Sequence, residues 1–255
     1  MTSSVRPRAA VILAAGQGTR MKSPTPKVMH RVGGRTMLDR AIDAVQAAGC
    51  ERVVVVVGTH SPEVRAAVVA RLGEGAVAVQ DPPLGTGHAV LAAAEALADF
   101  DGEVLVTNAD CPLLEGKDLE PLFALRAQGV GLALLGFEPA DAALYGRLIR
   151  GADGHVIRIV EARDANEEER HVRACYSGMM AADRAQLFGW LARVGNDNVK
   201  GEYYLTEVVA IAVADEAQVR AVFAPESAVM GADSQAQLSA AEAIFQQRRR
   251  PHFLS

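Results

Sequence analysis

The heptapeptide RVVVVVG at Arg52–Gly58 constrains the fold more than any other stretch of this chain. Five consecutive β-branched residues favour extended backbone, and the lack of polar alternation requires both faces of the strand to be buried. A parallel sheet covered by helices on each side meets that requirement, whereas an antiparallel sheet with one wet face does not. The neighbouring sequence repeats the same logic. Ala10–Ala14, Ala76–Gln80 and Glu103–Asn108 read as further strands. Between them stand Met37, Leu38, Ala41, Ile42 and Val45 at helical spacing, a helix starting at Ser61-Pro62, and an Ala-rich helix over Thr86–Ala98. Thr36 and Asp39 are placed as a capping box for the first of these helices. The order βαβαβαβ predicts a Rossmann-like, doubly wound α/β fold with a mainly parallel sheet and right-handed connections. Its ligand crevice should lie at the carboxyl ends of the strands.

The second half is less regular. Gly131–Phe137, Tyr145–Arg150, Val156–Glu161 and Ala174–Ala181 read as strands, and Ala182–Leu191, Thr206–Ala214 and Ser234–Gln247 as helices. The expectation is a mixed sheet completed by these strands, with a small β-rich insertion closing over the crevice. A length of 255 residues suits one α/β domain, and only 5% aromatic residues leaves Ala, Val, Leu and Ile to build its interior. The domain is expected over residues 5–247, followed by a basic, solvated tail at 248–255.

Charge and cysteine usage exclude several classes. The formal net charge is −5, from 26 basic and 31 acidic residues, so no general basic field exists for sequence-independent nucleic-acid binding. Any phosphate site must be local. Cys50, Cys111 and Cys175 are widely spaced without a CxxC pair, which suggests neither a zinc site nor a disulfide framework. No run of eighteen apolar residues and no signal-like segment behind MTSSVRPR is present, so a cytoplasmic protein with no membrane partner is expected.

The chemistry-bearing stretch is LAAGQGTRMKSPTPK, Leu13–Lys27. It fits neither GxxxxGK[ST] nor GxGxxG. Glycines after a strand can make a tight turn. The same loop can also present the backbone N–H groups of Gly16–Thr19, with Arg20 and Lys27 nearby, to a triphosphate. Asp110, in NADCPL, is either a turn aspartate before a proline or a carboxylate that holds Mg²⁺ against nucleotide phosphates. His88, in the first turn of its helix, reads as packed rather than catalytic.

Five stretches, LAAGQGTRMKSPTPK, QDPPLGTGHAV, YGRLIR, IVEARDA and NDNVKGEYYLTEVV, occur in one order from about Val11 to Gln247. Together they resemble the N-terminal uridylyltransferase domain of the bacterial bifunctional enzymes that make UDP-N-acetylglucosamine, members of the nucleotide-sugar nucleotidyltransferases. The resemblance implies a nucleotide-diphospho-sugar transferase fold. It also implies a Mg²⁺-dependent condensation of UTP with N-acetylglucosamine 1-phosphate that releases pyrophosphate. Leu13, Ala14, Ala15, Gly16, Gly18, Thr19, Gln80, Gly85 and Thr86 would hold UTP. Arg20 and Lys27 would be the catalytic cations, Asp110 and Asp233 the Mg²⁺ ligands. Gly146, Glu161, Tyr176, Tyr204 and Thr206 would lie around the amino sugar. Such a reaction needs no general base, because the attacking sugar phosphate is already an anion; positioning and charge neutralisation suffice.

Three stretches depart from the family pattern. Asn108-Ala109 stands where the family has Tyr-Gly, and adds a methyl group before Asp110. Tyr176, in CYSGMM, replaces a small amide with a phenol and reshapes the acceptor pocket. Asp233, in MGADSQAQL, replaces an amide and retains a hard oxygen for Mg²⁺. The hexapeptide-repeat β-helix of the bifunctional enzymes is not found within these residues, so no acetyltransferase domain is expected of them. Beside uridylyl transfer the departures leave two readings: a relative using another sugar 1-phosphate or nucleotide, and a nucleotide-binding regulator without turnover.

Overall fold

In the computed structural model, which describes residues 6–142 and 145–249, all five valines of Arg52–Gly58 are buried. The first half of the chain runs β1 (Arg8–Leu13), β2 (Arg31–Val32), β3 (Arg35–Thr36), α1 (Met37–Ala47), β4 (Arg52–Gly58), α2 (Pro62–Leu72), β5 (Val77–Gln80), α3 (Thr86–Leu91) and β6 (Glu103–Asn108). The second runs α4 (Gly116–Ala127), β7 (Leu132–Phe137), β8 (Arg147–Arg150), β9 (Val156–Val160), α5 (Glu167–Arg170), β10 (Cys175–Asp183), α6 (Arg184–Leu191), α7 (Val208–Ala214), β11 (Val219–Phe223), α8 (Glu226–Val229) and α9 (Gln235–Arg249).

One sheet holds nine strands in the order β11-β7-β10-β6-β1-β4-β5, with the β8–β9 hairpin attached to β10. Strand β1 pairs in parallel with β4 and β6, β4 with β5, and β7 with β11. Only β10 runs against its neighbours on this path, between β6 and β7. The sheet is mixed and mainly parallel, as the valine run requires. From β1 the chain steps outward to β4 and β5, then returns to the other side of β1 at β6. That reversal opens a crevice between the carboxyl ends of β1 and β6, where Leu13 and Asn108 stand in register.

The period-2 alternation of the strands divides the interior into two layers. Val53, Val55 and Val57 join Ile12 and Leu105 beneath α1, α2 and α4. Val54 and Val56 join Val11, Val104 and Val106 beneath α3, α6 and α7. Helix α1 starts where its cap was expected: Thr36 Oγ1 accepts from Asp39 N–H at 3.0 Å and donates to Asp39 Oδ2 at 2.7 Å. Its buried face includes Ile42, whose truncation to Ala would cost about 2–5 kcal/mol.

Several boundaries differ from the sequence expectation. The helix expected over Thr86–Ala98 ends at Leu91 and continues as tight turns and a 3₁₀ segment at Glu95–Leu97. Val90, Ala93 and Leu97, spaced as on one helical face, are nonetheless all fully buried. Ser61 precedes α2 without capping it through its hydroxyl. The sequence pattern predicts no helix at α4, because Pro121 lies inside it. Arg248 and Arg249 do not begin a solvated tail: they close α9, and Arg248 donates to the Leu113 carbonyl at 2.9 Å. Arg250 and the residues after it lie outside the described residues. No helix among the described residues is long and apolar enough to cross a membrane.

Candidate active site

The loop that follows β1 is shaped by one glycine and one lysine. Ala14 N–H donates to the Val56 carbonyl at 2.8 Å, and the chain then leaves the sheet. Gly18 is left-handed (φ 61°), and a Cβ there would lie 2.6 Å from Lys27 Cβ, so only glycine lets the lysine stem pass. The N–H groups of Gly16, Gln17, Gly18 and Thr19 donate to no group among the described residues. Lys27 opens a 3₁₀ turn anchored by buried Val28, and its side chain is only 12% exposed.

Lys27 Nζ donates to both Asp110 Oδ2 and Asp233 Oδ1. Asp110 lies two residues past the end of β6, beyond Ala109, whose N–H donates to the Leu13 carbonyl at 3.0 Å. Asp233 is brought by the segment after α8: Ala232 N–H donates to the Asp110 carbonyl at 2.9 Å, and Cys111 Sγ donates to Val229 O at 3.3 Å. Arg20, 66% exposed, pairs with Asp233 Oδ1 at 3.0 Å. Burial pushes the Lys27 ammonium toward neutrality, but the two carboxylates outweigh it and hold its pKa above the ordinary lysine value.

Two clefts meet at this cluster. The first, about 360 Å³, is lined by Leu13, Ala14, Ala15, Gly16, Lys27, Gln80, Gly85, Thr86, Asn108 and Asp110, with Gln17, Pro83 and Glu202. Gly18, Thr19 and Arg20 do not line it. Gln80 Nε2 donates to the Gly85 carbonyl at 2.9 Å and lies 3.2 Å from His88 Nδ1, so His88 braces Gln80. The segments Leu84–Gly87 and Tyr203–Leu205 are stitched together. Tyr203 N–H donates to Leu84 O (2.8 Å), Gly87 N–H to Tyr203 O (2.7 Å), and Leu205 N–H to Thr86 Oγ1 (3.0 Å). Gly85 (φ 117°) sits so close that a Cβ would lie 2.6 Å from Tyr203 O.

The second cleft, about 250 Å³, shares Leu13, Thr86, Asn108 and Asp110 with the first and adds Gly146, Glu161, Tyr176, Thr206 and Asp233. Thr206 Oγ1 donates to Glu161 Oε1 at 3.0 Å. Burial raises the Glu161 carboxyl above its ordinary pKa, a shift that the Thr206 bond partly opposes. Tyr176 N–H donates to the Gly146 carbonyl at 2.9 Å, and its side chain contributes to the wall of the cleft. The Tyr176 hydroxyl is buried with no partner among the described residues. Burial, with the Glu161 charge, pushes that phenol well above its usual pKa.

Two expectations change here. Ala109 is fully buried in the layer under α1 and α4 and lines neither cleft, so its methyl group does not narrow the site. Tyr204 does not line the second cleft. It faces a separate recess of about 260 Å³ with Asp164 and Asn198, beyond the shared Glu161 and Thr206. Residues without an assigned role also enter the site, among them Asn108, Tyr145, Ser177 and Gly178. Asn108 was legible only as a departure from the family pattern. Gly178 follows from the irregular register of β10 between Tyr176 and Met179, where a Cβ would lie 2.2 Å from Asn108 Nδ2.

No group of three or more His, Cys, Asp or Glu side chains among the described residues forms a metal cage. Asp110 and Asp233 nevertheless aim hard oxygen donors at one cation, the Lys27 ammonium. Two cations, Lys27 and Arg20, and two carboxylates, Asp110 and Asp233, thus meet where the clefts join, so a pair of anionic ligands placed end to end, one per cleft, would call for a further cation on the carboxylates.

The family model described as the MobA-like NTP transferase domain matches residues 10–187. The chain is 59% identical over 251 residues to the bifunctional protein GlmU of Caulobacter vibrioides, covering 98% of this chain and 54% of that protein. It is 50% identical over 250 residues to the GlmU protein of Maricaulis maris, covering 98% of this chain and 55% of that protein. The chain thus spans about half the length of the curated relatives it matches. A crystal structure of UDP-glucose pyrophosphorylase complexed with UDP-glucose superposes with a TM-score of 0.75 at 18% identity, covering 95% of this chain and 100% of that one. This likeness establishes the nucleotide-diphospho-sugar transferase fold.

Proposed function

Since this chain belongs to the MobA-like NTP transferase family, we propose that it transfers the uridylyl group of UTP to N-acetylglucosamine 1-phosphate and releases pyrophosphate. The observation that carries the reading is the junction of the two clefts at Lys27, Asp110 and Asp233. The relatives named GlmU, and the five ordered motifs, support the choice of nucleotide and acceptor.

UTP occupies the first cleft. Its uracil and ribose lie along Leu13–Gly16 with Gln80, Gly85 and Thr86, and its phosphates turn toward the free N–H groups of Gly16–Thr19. Gly18 and Thr19 act through backbone direction rather than as walls. The sugar phosphate enters the second cleft, where Glu161 and Thr206 receive its hydroxyl groups. Its phosphate oxygen attacks the α-phosphorus in line, the new P–O bond forms, and the bond to the β-phosphate oxygen breaks. No proton has to be removed from the nucleophile. Lys27 and Arg20 offset the repulsion between the two anions and stabilise the charge that develops on the leaving pyrophosphate.

The donor set fits Mg²⁺: two carboxylates that converge on one cation suit an ion that keeps several waters and takes its other ligands from phosphates. Asp110 and Asp233 would hold it, and the bound ion would neutralise phosphate oxygens. The three cysteines are buried and unpaired, which supports a reducing, cytoplasmic setting.

Tyr176 favours a second reading, in which the same chemistry serves a different sugar 1-phosphate. Its side chain occupies the wall of the acceptor cleft while its hydroxyl remains buried. A panel of nucleotides crossed with sugar 1-phosphates, with Mg²⁺ and continuous detection of pyrophosphate, tests both. Fastest turnover with UTP and N-acetylglucosamine 1-phosphate is expected. Turnover with another acceptor alone selects the second reading, and saturable UTP binding without turnover on any acceptor overturns both.

A further inference from the structure

The basic residues that close α9 play no part in the chemistry above. Arg248 and Arg249, with Arg40 from α1 and with Leu113, Glu115 and Phe245, line a cleft of about 340 Å³ that shares no residue with either cleft of the active site. The guanidinium carbons of Arg40 and Arg249 lie 4.2 Å and 5.2 Å from the centroid of the same Phe245 ring. The ring attracts each cation, but the two cations repel one another.

These charges are poorly matched. Neither Arg40 nor Arg249 has a carboxylate within ion-pair distance among the described residues. Arg248 spends its donors on the carbonyls of Leu113 (2.9 Å) and Ser227 (3.3 Å) and meets Glu115 only at 3.8 Å. Burial and the charges of Arg35 and Arg249 hold Arg40 below the usual guanidinium range, despite Glu242 and Asp43. Nearby, Arg35 and Arg71 are matched by Asp39 and Asp43. A chain of net charge −5 therefore gathers three guanidinium groups in a cleft whose one lining carboxylate, Glu115, is already paired with Lys117 at 2.5 Å. The dipole of α9 accounts for cations at its own end. It does not account for Arg40, which a different helix supplies.

We propose that this cleft is an anion site for a diphosphate group, either inorganic pyrophosphate or the phosphate chain of a nucleoside triphosphate. Guanidinium forks match phosphate oxygens, and three of them call for more than one negative charge. With the Phe245 ring already flanked by Arg40 and Arg249, recognition falls on the phosphates rather than on a stacked base. The site is independent of the uridylyl-transfer reading.

The test is calorimetric titration of pyrophosphate, at low salt and without divalent metal, into wild type, Arg249→Glu, Arg40→Gln and Lys27→Gln. A binding event is expected that Arg249→Glu and Arg40→Gln each weaken about tenfold or more and that Lys27→Gln leaves in place. Arg249 is exposed and, beyond the ring contact, makes no hydrogen bond or ion pair among the described residues, so Arg249→Glu should melt with the wild type and stands as the safer variant. Parallel titration of UTP into Lys27→Gln separates the sources: binding lost on adding Arg249→Glu assigns the nucleotide tail, and pyrophosphate binding alone assigns the free anion. Pyrophosphate binding that disappears in Lys27→Gln, or that is unaffected by both arginine variants, overturns the proposal.

Discussion

Lys27 Nζ joins the carboxylates of Asp110 and Asp233, which lie 83 and 206 positions away in the chain. The reversal of strand order between β1 and β6 brings the lysine loop to Asp110. A single backbone bond, from Ala232 N–H to the Asp110 carbonyl, then adds Asp233. A centre assembled from such distant segments is sensitive to loss of any one partner.

Replacing Lys27 with Met should lower kcat by roughly 10²–10³, the usual loss when one group aimed at developing charge is removed. Initial rates of pyrophosphate release at saturating substrates measure this, and a decrease of less than about threefold would contradict it. The stability consequence has a definite sign. The folded pKa of Lys27 is raised, so its contribution is fully present below the ordinary lysine value of 10.5 and is lost as pH rises through the elevated one. Melting curves of wild type and Lys27→Met should therefore converge only in strongly alkaline buffer.

Gly85→Ala should disturb the nucleotide cleft. The new Cβ meets Tyr203 O at 2.6 Å and Tyr203 N at 2.8 Å, both backbone atoms, and φ of 117° is unfavourable for alanine. Destabilisation of about 1–3 kcal/mol is expected, with a raised KM for UTP. Chemical denaturation and nucleotide titration measure the two effects; unchanged values for both would show that the Tyr203 segment moves aside freely.

Glu161→Gln separates stability from acceptor recognition. Burial raises the Glu161 pKa, so the native state binds its proton more tightly than the unfolded chain does. Ionisation then lowers stability progressively from pH 4.5 up to the elevated pKa, and the penalty persists above it. Gln keeps an oxygen for Thr206 and removes that penalty. The variant should melt above the wild type at pH 7.5, with the advantage disappearing below pH 4.5, while KM for the sugar phosphate rises about tenfold. A lower melting temperature at pH 7.5 would show that the carboxylate stabilises the fold.

Tyr176→Phe removes a buried hydroxyl that has no partner among the described residues. A gain of about 1 kcal/mol in stability is expected, with KM for the acceptor nearly unchanged, because the hydroxyl is sealed from the cleft. Tyr176→Asn instead shortens a wall of that cleft and should broaden or shift acceptor preference in the sugar 1-phosphate panel. If Tyr176→Phe raises KM sharply, the hydroxyl turns into the cleft to meet the sugar.

Much of the fold was legible because burial is written into residue order. Arg52–Gly58 and Glu103–Asn108 match their observed strands residue for residue. Helix α4 escaped notice because Pro121 breaks the local signal, and β11 because Arg220 interrupts a short strand at the sheet edge. In the site, Gly16, Gln80, Gly85 and Asp110 gather in one cleft, as do Gly146, Glu161, Tyr176 and Thr206 in the other. Tyr204 and Ala109 show the limit: each belongs to a recognisable motif, but the motif says nothing about which way the side chain turns.

By itself the sequence determined the layered, mainly parallel sheet, since apolar periodicity follows from which residues water must not reach. It also determined the inventory of charged groups and the order of the motifs. Only the tertiary structure decided that Lys27, rather than Arg20, sits between Asp110 and Asp233, that Ala109 points into the core, and that Arg40 meets Arg249 across one ring. Burial is encoded residue by residue. Attraction between charges falls off over a few ångströms, so their pairing exists only once distant segments have been brought into contact.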